Sequence, residues 1–282
     1  AAANPYITII GPIETAARRI SIMGVCNKFA GIVSPIIFAA VVLGKSQDIL
    51  ESVESGLLSG IAKEAALNEL IRGVILPYSI LSLLLLFIGL FIYKSKLPDI
   101  NPEEENEEVA TANCNKTSVF QFPYLILGVL ALFLHVGTQV VAIDTIISYA
   151  GSMGVGLLDA KFFPSYTLGA TILGYLLGIV LIPRYISQKN ALIVCTVLGL
   201  LLSFGVIFAH TNISLLGHNA GLSIWFLASL GLPNSLIYAG IWPHAIRNLG
   251  RFTKIGSSML VMALCGNAIL PLVYGKLADI TS

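Results

Sequence analysis

Charge is scarce in this chain. Of its 282 residues only 11% are Asp, Glu, Lys or Arg, while 56% are hydrophobic. A soluble domain carries roughly 25% charged residues, so the deficit excludes an ordinary soluble fold and makes lipid the solvent. Cysteine is scarce too. Cys26, Cys114, Cys195 and Cys265 stand far apart, with no CxxC pair and no Cys/His ligand spacing. That excludes a disulfide framework and a metal site, and leaves the four thiols as small buried hydrophobes. Net charge is only +1, and there is no basic stripe with interleaved aromatics, so nucleic acid is not an expected partner. A phosphate-cradling glycine loop and a nucleophile motif are also missing. No enzyme chemistry, catalytic residue or cofactor is expected.

Long apolar runs are present instead, and mean hydropathy is +0.87. A membrane-crossing helix needs about 20 mostly apolar residues. Such runs cover 20–43, 74–93, 123–149, 162–183, 191–210, 222–245 and 255–274. Residues before Gly11 read as the last turns of a preceding span. The runs are too long and unbroken for barrel strands of about 10 alternating residues. The expected class is an all-α integral membrane protein with about seven full transmembrane helices and a stub.

Two connections are polar. Residues 45–70 read as an acidic, partly amphipathic surface segment, with Ile49, Val53, Leu57 and Ile61 at helical spacing. Residues 94–118 hold Pro98, Pro102 and the run Glu103-Glu104-Glu105-Asn106-Glu107-Glu108, the composition of a flexible linker. The expected division is a helix bundle over 1–93, a linker over 94–118 and a second bundle over 119–282. Lys and Arg gather on one set of alternate loops, at Arg18, Arg19, Arg184, Lys189, Arg247, Arg251 and Lys254. These loops and the linker are therefore expected in the cytoplasm, with 45–70 outside. The Asn115-Lys116-Thr117 sequon falls in that linker, which argues against its glycosylation.

Isolated polar residues lie inside the apolar runs: Asn27 and Lys28, His135 and Gln139, Asn234, Asn267. Hydrocarbon penalises such groups, so they face protein or a watery cavity and commonly mark a substrate path. Amides both donate and accept hydrogen bonds, which suits hydroxyl-rich ligands.

The segment Ala3-Asn4-Pro5-Tyr6 through Arg18-Arg19 resembles the junction between helices four and five of the fucose permease-like sugar symporters, the family of bacterial glucose/galactose permeases within the major facilitator superfamily. Trp242-Pro243-His244 through Ser257-Ser258 is similar to that family's loop between helices ten and eleven. Pro271–Asp279, Val136–Gln139 and Asp144–Tyr149 are also similar, and Gly174, Gly178, Arg184 and Lys189 echo the eighth helix and its loop. The resemblance covers nearly the whole chain, from the end of helix four to helix eleven of an expected twelve. It implies an incomplete major facilitator fold lacking helices one to three, most of helix four, and helix twelve.

The resemblance implies a multi-pass protein of the bacterial inner (plasma) membrane, acting as a monomer among lipid. It would import a hexose, glucose/galactose or a fucose-like sugar, by symport with H⁺ or Na⁺ through alternating access. The coupling carboxylates would lie in the missing helices. Substrate-binding candidates are Asn27, Gln139, Asn234, Trp242, Asn267 and His135, each weighed against plain helix packing. Many relatives carry an acid where Gln139 stands and an aromatic where His135 stands. Trp242 is expected either to stack on a sugar face or to anchor the interface. Lys28, where the family favours a small residue, is expected to snorkel toward the cytoplasm. Arg18, Arg19, Arg184, Lys189, Arg247, Arg251 and Lys254 are gating and topology residues. Alternatives are a transport-inactive membrane sensor or scaffold, or an exporter of another small molecule.

Overall fold

The computed structural model describes residues 3–42, 61–95, 116–209 and 211–281. Helices dominate it: α1 (Ala3–Ile9), α2 (Ala16–Val42), α3 (Ile61–Lys94), α4 (Pro123–Asp144), α5 (Ile146–Ser152), α6 (Leu157–Ala160), α7 (Phe163–Leu181), α8 (Gln188–Phe208), α9 (Leu222–Ser229), α10 (Gly231–Ile246), α11 (Thr253–Ala263) and α12 (Gly266–Thr281). Six stretches are long and apolar enough to cross a membrane: Ile75–Lys94, Pro123–Asp144, Phe163–Leu181, Gln188–Phe208, Leu222–Ile246 and Gly250–Ile280. The chain is a multi-pass, all-α membrane protein. α2 has 27 residues, ample for a crossing, and carries Arg18, Arg19 and Lys28 in its first half.

Most expectations for the polar connections fall on residues outside the described ones, namely 43–60 and 96–115. The described part of the 45–70 segment differs from the expectation. Residues from Ile61 onward are the first turns of α3, a continuous helix of 34 residues. Its Ala-, Glu- and Leu-rich start is a strong helix former, so the backbone runs on into the apolar span.

The chain divides into two compact units, one of Ala1–Phe29 with Ile100–Ser282 and one of Ala30–Asp99. The second contains the later part of α2 and all of α3. In the first, α10 packs against α7, α4 and α8, and α12 against α4. Small residues allow this closeness. A Cβ on Gly174 would run into the Ser235 hydroxyl and the Leu232 carbonyl, and Gly137 and Gly266 hold α4 and α12 together in the same way. In lipid, where apolar burial gives no drive between helices, such close backbone approach is a main source of adhesion. The core around them contains Ile20, Phe122, Leu125, Leu132, Tyr175, Leu236, Trp242 and Leu260.

Three expected spans are broken helices. Pro233 has no N–H to return to Ser229, and the helix divides at Leu230 into α9 and α10. Pro271 likewise offers nothing to the Asn267 carbonyl, and the chain turns at Leu264–Cys265 between α11 and α12. The 123–149 run changes direction at Thr145, whose hydroxyl donates to the Val141 carbonyl at 2.7 Å. The sequence reading also missed a β-hairpin. β1 (Asn212–Leu215) pairs antiparallel with β2 (His218–Gly221). Its two-residue turn places Leu216 at φ 52° and Gly217 at φ 84°, the paired positive φ of a type I′ turn. Leu216-Gly217 lacks the usual Asn-Gly signal. His218 holds the hairpin down, its Nδ1 lying 2.8 Å from Asp159 Oδ1 and its ring 5.1 Å from that of Phe162.

Candidate functional site

A cavity of about 590 Å³ opens within the first unit, inside the range of roughly 300–1,000 Å³ typical of small-molecule sites. Its walls follow helical spacing. Ile20, Met23, Gly24, Asn27 and Lys28 form one stripe of α2, with Cys26 at its edge, and α4 supplies Val136, Gln139 and Val140. α7 gives Tyr175 and α10 gives Tyr238, while Leu264 and Asn267 come from the break between α11 and α12. That break serves the site. It turns the Asn267 side chain to the cavity and leaves its carbonyl without the usual helical donor. Irregular backbone at membrane depth is tolerated where it borders a cavity.

Three of the sequence candidates therefore meet: Asn27, Gln139 and Asn267. The Gln139 Nε2 is buried and has no hydrogen-bond partner among the described residues. The other candidates lie elsewhere. His135 is buried, and its Nε2 donates to the Asn234 carbonyl at 3.1 Å. That bond ties α4 to α10 and uses the imidazole for packing. Asn234, one turn before Tyr238 on α10, is not among the residues that line the cavity. Trp242 has 0% exposure and sits in the core, neither in the cavity nor at an interface. The aromatic facing the cavity from α10 is Tyr238, one turn earlier, its ring centroid 6.4 Å from Trp242 and 6.5 Å from His135.

Two further corrections concern α2. Lys28 lines the cavity instead of reaching for the cytoplasm. Cys26 is exposed and lines the same wall. Of the other thiols, Cys195 is buried as expected, Cys265 is exposed, and Cys114 lies outside the described residues. Tyr175, Tyr238 and Lys28 are lining residues with polar groups that were absent from the candidates. Only Lys28 carried a signal, an ammonium in an apolar run.

One end of the cavity is closed. A Cβ on Gly24 would strike the Tyr175 ring, and Ser21 packs on Gly178, so α2 and α7 meet toward the Arg18–Arg19 end. There Gln188, in the first turn of α8, accepts from the Ala17 N–H at 2.8 Å through Oε1 and donates from Nε2 to the Ile13 carbonyl at 2.7 Å. It thereby satisfies one of the orphan donors at the start of α2. Arg19 closes α1. Its guanidinium donates to the carbonyls of Ile7 (2.9 Å), Thr8 (2.9 Å), Gly11 (3.2 Å) and Pro12 (3.0 Å), and to the Thr15 hydroxyl. Ile7 and Thr8 are in the last turn of α1, where a helix leaves carbonyls unpaired, and Gly11 and Pro12 belong to the turn that follows. Arg251 donates to the Lys116 carbonyl, and the Tyr124 hydroxyl donates to the Arg247 carbonyl at 2.8 Å. Arg18, Arg184, Lys189 and Lys254 are exposed at the same loops.

No protein-family model matches the chain. Over nearly its full length it is similar to curated transporters. It is 28% identical to a glucose/galactose transporter of Brucella abortus and 27% identical to the L-fucose-proton symporter of Escherichia coli, each over 99% of this chain. A putative glucose/galactose transporter of Helicobacter pylori is 23% identical. Among solved structures it matches the major facilitator superfamily transporter FucP in its outward conformation. The TM-score is 0.77 at 25% identity, covering 99% of this chain and 66% of that one. The fold is that of the major facilitator superfamily. The resemblance read from Ala3–Arg19 and Trp242–Ser258 holds. These relatives are transporters of this superfamily, not enzymes. The chain spans 61% of the Brucella relative and 62% of the E. coli symporter.

Proposed function

We propose that this chain belongs to a secondary active transporter that imports a sugar by cation symport, with two helix bundles over 1–93 and 119–282 alternating around the cavity. The observation that carries the reading is the cavity wall. Amides from three separate helices meet two tyrosines at membrane depth, and such groups are tolerated there mainly where a polar substrate passes. Relatives that transport glucose, galactose or fucose support the sugar class. In this reading Asn27, Gln139 and Asn267 hold hydroxyls, and Tyr238 or Tyr175 offers a face to the sugar ring. H⁺ or Na⁺ supplies the drive, and the protein works as a monomer in a bacterial inner membrane.

The closed end supports a reading of the state. Gln188 and the Gly24–Tyr175 contact close the side that carries the basic loops, which is the cytoplasmic side by the positive-inside rule. The state described is then the outward-facing one, and import requires the Gln188 contacts to break. The test is uptake of labelled galactose, glucose and fucose into proteoliposomes under an imposed H⁺ or Na⁺ gradient. Accumulation that collapses with one gradient supports symport. Absence of any sugar uptake or exchange contradicts the reading.

A further inference from the structure

The cavity has an excess of donors. Lys28 brings an ammonium and Gln139 an unpartnered amide nitrogen, while no carboxylate lines the wall and none pairs with Lys28 among the described residues. A lysine near the centre of an apolar helix is costly to place in lipid. A residue with that cost is retained where an opposite charge meets it, and here the place is a substrate cavity. A neutral hexose offers hydroxyls, which satisfy amides but leave an ammonium without its counter-charge. A sugar acid offers the same hydroxyls and one carboxylate, which accepts from an ammonium in a charge-assisted bond about twice as strong as a neutral one. We propose that the cavity selects an anionic sugar of the hexuronate class, its carboxylate held by Lys28 and Gln139 and its hydroxyls by Asn27 and Asn267. This rests on the sugar-transport reading and narrows it.

All four residues line the one cavity. Lys28 follows Asn27 on α2, and Gln139 stands on α4 across the same cavity. One end of the ligand would meet the ammonium while the rest of the ring reaches Tyr238 and Asn267. Discrimination would come from the unmet charge, since a polar group left unpaired in a buried site excludes the wrong ligand more strongly than a missing apolar contact does.

The test uses the complete protein in proteoliposomes, with galacturonate, galactose and acetate competing in counterflow. The parent protein should take galacturonate at least tenfold better than galactose and ignore acetate. Lys28→Met and Lys28→Gln should each lose galacturonate by tenfold or more and with it the preference for galacturonate over galactose, and Lys28→Arg should keep the acid preference. Folding of each variant is checked by its elution profile and melting temperature. Galactose exchange with no preference for galacturonate, and no change in Lys28→Met, overturns the inference and leaves the sugar reading intact. Acetate competing as well as galacturonate also overturns it, because the site would then read a bare carboxylate. If Lys28→Met exchanges galacturonate normally and loses only gradient-driven accumulation, Lys28 is a coupling group and the inference fails. If no sugar or sugar acid exchanges, the transport reading itself fails.

Discussion

Arg19 and Lys28 lie on one helix, and the protein treats them oppositely. Arg19 is matched by four backbone carbonyls and a hydroxyl that the chain folds around it. Lys28 faces a cavity in which no described residue carries a negative charge. The same contrast holds for the amides. Both ends of the Gln188 side chain are bonded, whereas the Gln139 nitrogen has no described partner. Saturated polar groups hold a structure in place, and unsaturated ones wait for something to bind. The sealed end of α2 thus reads as architecture and its cavity face as recognition.

The contrast breaks most sharply at Arg19. Arg19→Ala should lower stability by at least ~3 kcal/mol, since hydrogen bonds to charged groups contribute ~1.5–3 kcal/mol each and several are lost together. Arg19→Lys should recover little, because a point charge cannot reproduce the guanidinium fork. Thermal unfolding in detergent measures both, and a melting temperature equal to the parent's would show that the carbonyl cage is incidental. Gln139→Ala and Asn267→Ala should act the other way. Each should weaken sugar binding by one to two decades, corresponding to ~1–3 kcal/mol per lost buried partner, with melting temperature nearly unchanged. Asn234→Ala, outside the wall, should leave affinity within twofold. Gln188→Ala should have a smaller effect than the cavity amides, loosening the cytoplasmic seal by ~1 kcal/mol as the population of inward-open molecules rises severalfold. Labelling from the cytoplasmic side of a cysteine placed at Ile13 would report it. Last, Tyr238→Leu should lower sugar affinity more than Trp242→Phe, a reversal of what the sequence suggests. Equal effects would put the tryptophan back in the site.

The spans were legible because about 20 apolar residues leave a helix few alternatives in lipid. The polar residues inside them were legible as a set, and three of them do meet. Which face each one turns was harder to read. Tyr238 and Trp242 are four apart and share a face of α10, so periodicity does not say which of them looks into the cavity. Pro233 and Pro271 were visible as letters, but the direction in which each turns its helix depends on neighbours distant in sequence. His135 shows the same limit, because its partner is a backbone carbonyl 99 residues away. The hairpin was missed because its turn relies on Leu216 in a left-handed conformation. Cys26 looked like a small hydrophobe because nothing in its immediate sequence distinguishes an apolar wall from the rim of a wet cavity.

Cys26 therefore offers the most direct test of the central claim, that the face of α2 bearing Asn27 and Lys28 lines the substrate cavity. The complete protein is made with every cysteine except Cys26 replaced by Ser, Cys114, Cys195 and Cys265 among them, so that Cys26 alone reacts. A small membrane-impermeant methanethiosulfonate reagent is added from outside, with and without saturating sugar or sugar acid. The account predicts prompt modification of Cys26 that the transported substrate slows at least fivefold. Failure of the reagent to reach Cys26, or modification at a rate indifferent to every substrate the protein moves, would place this face away from the cavity and contradict the site as described.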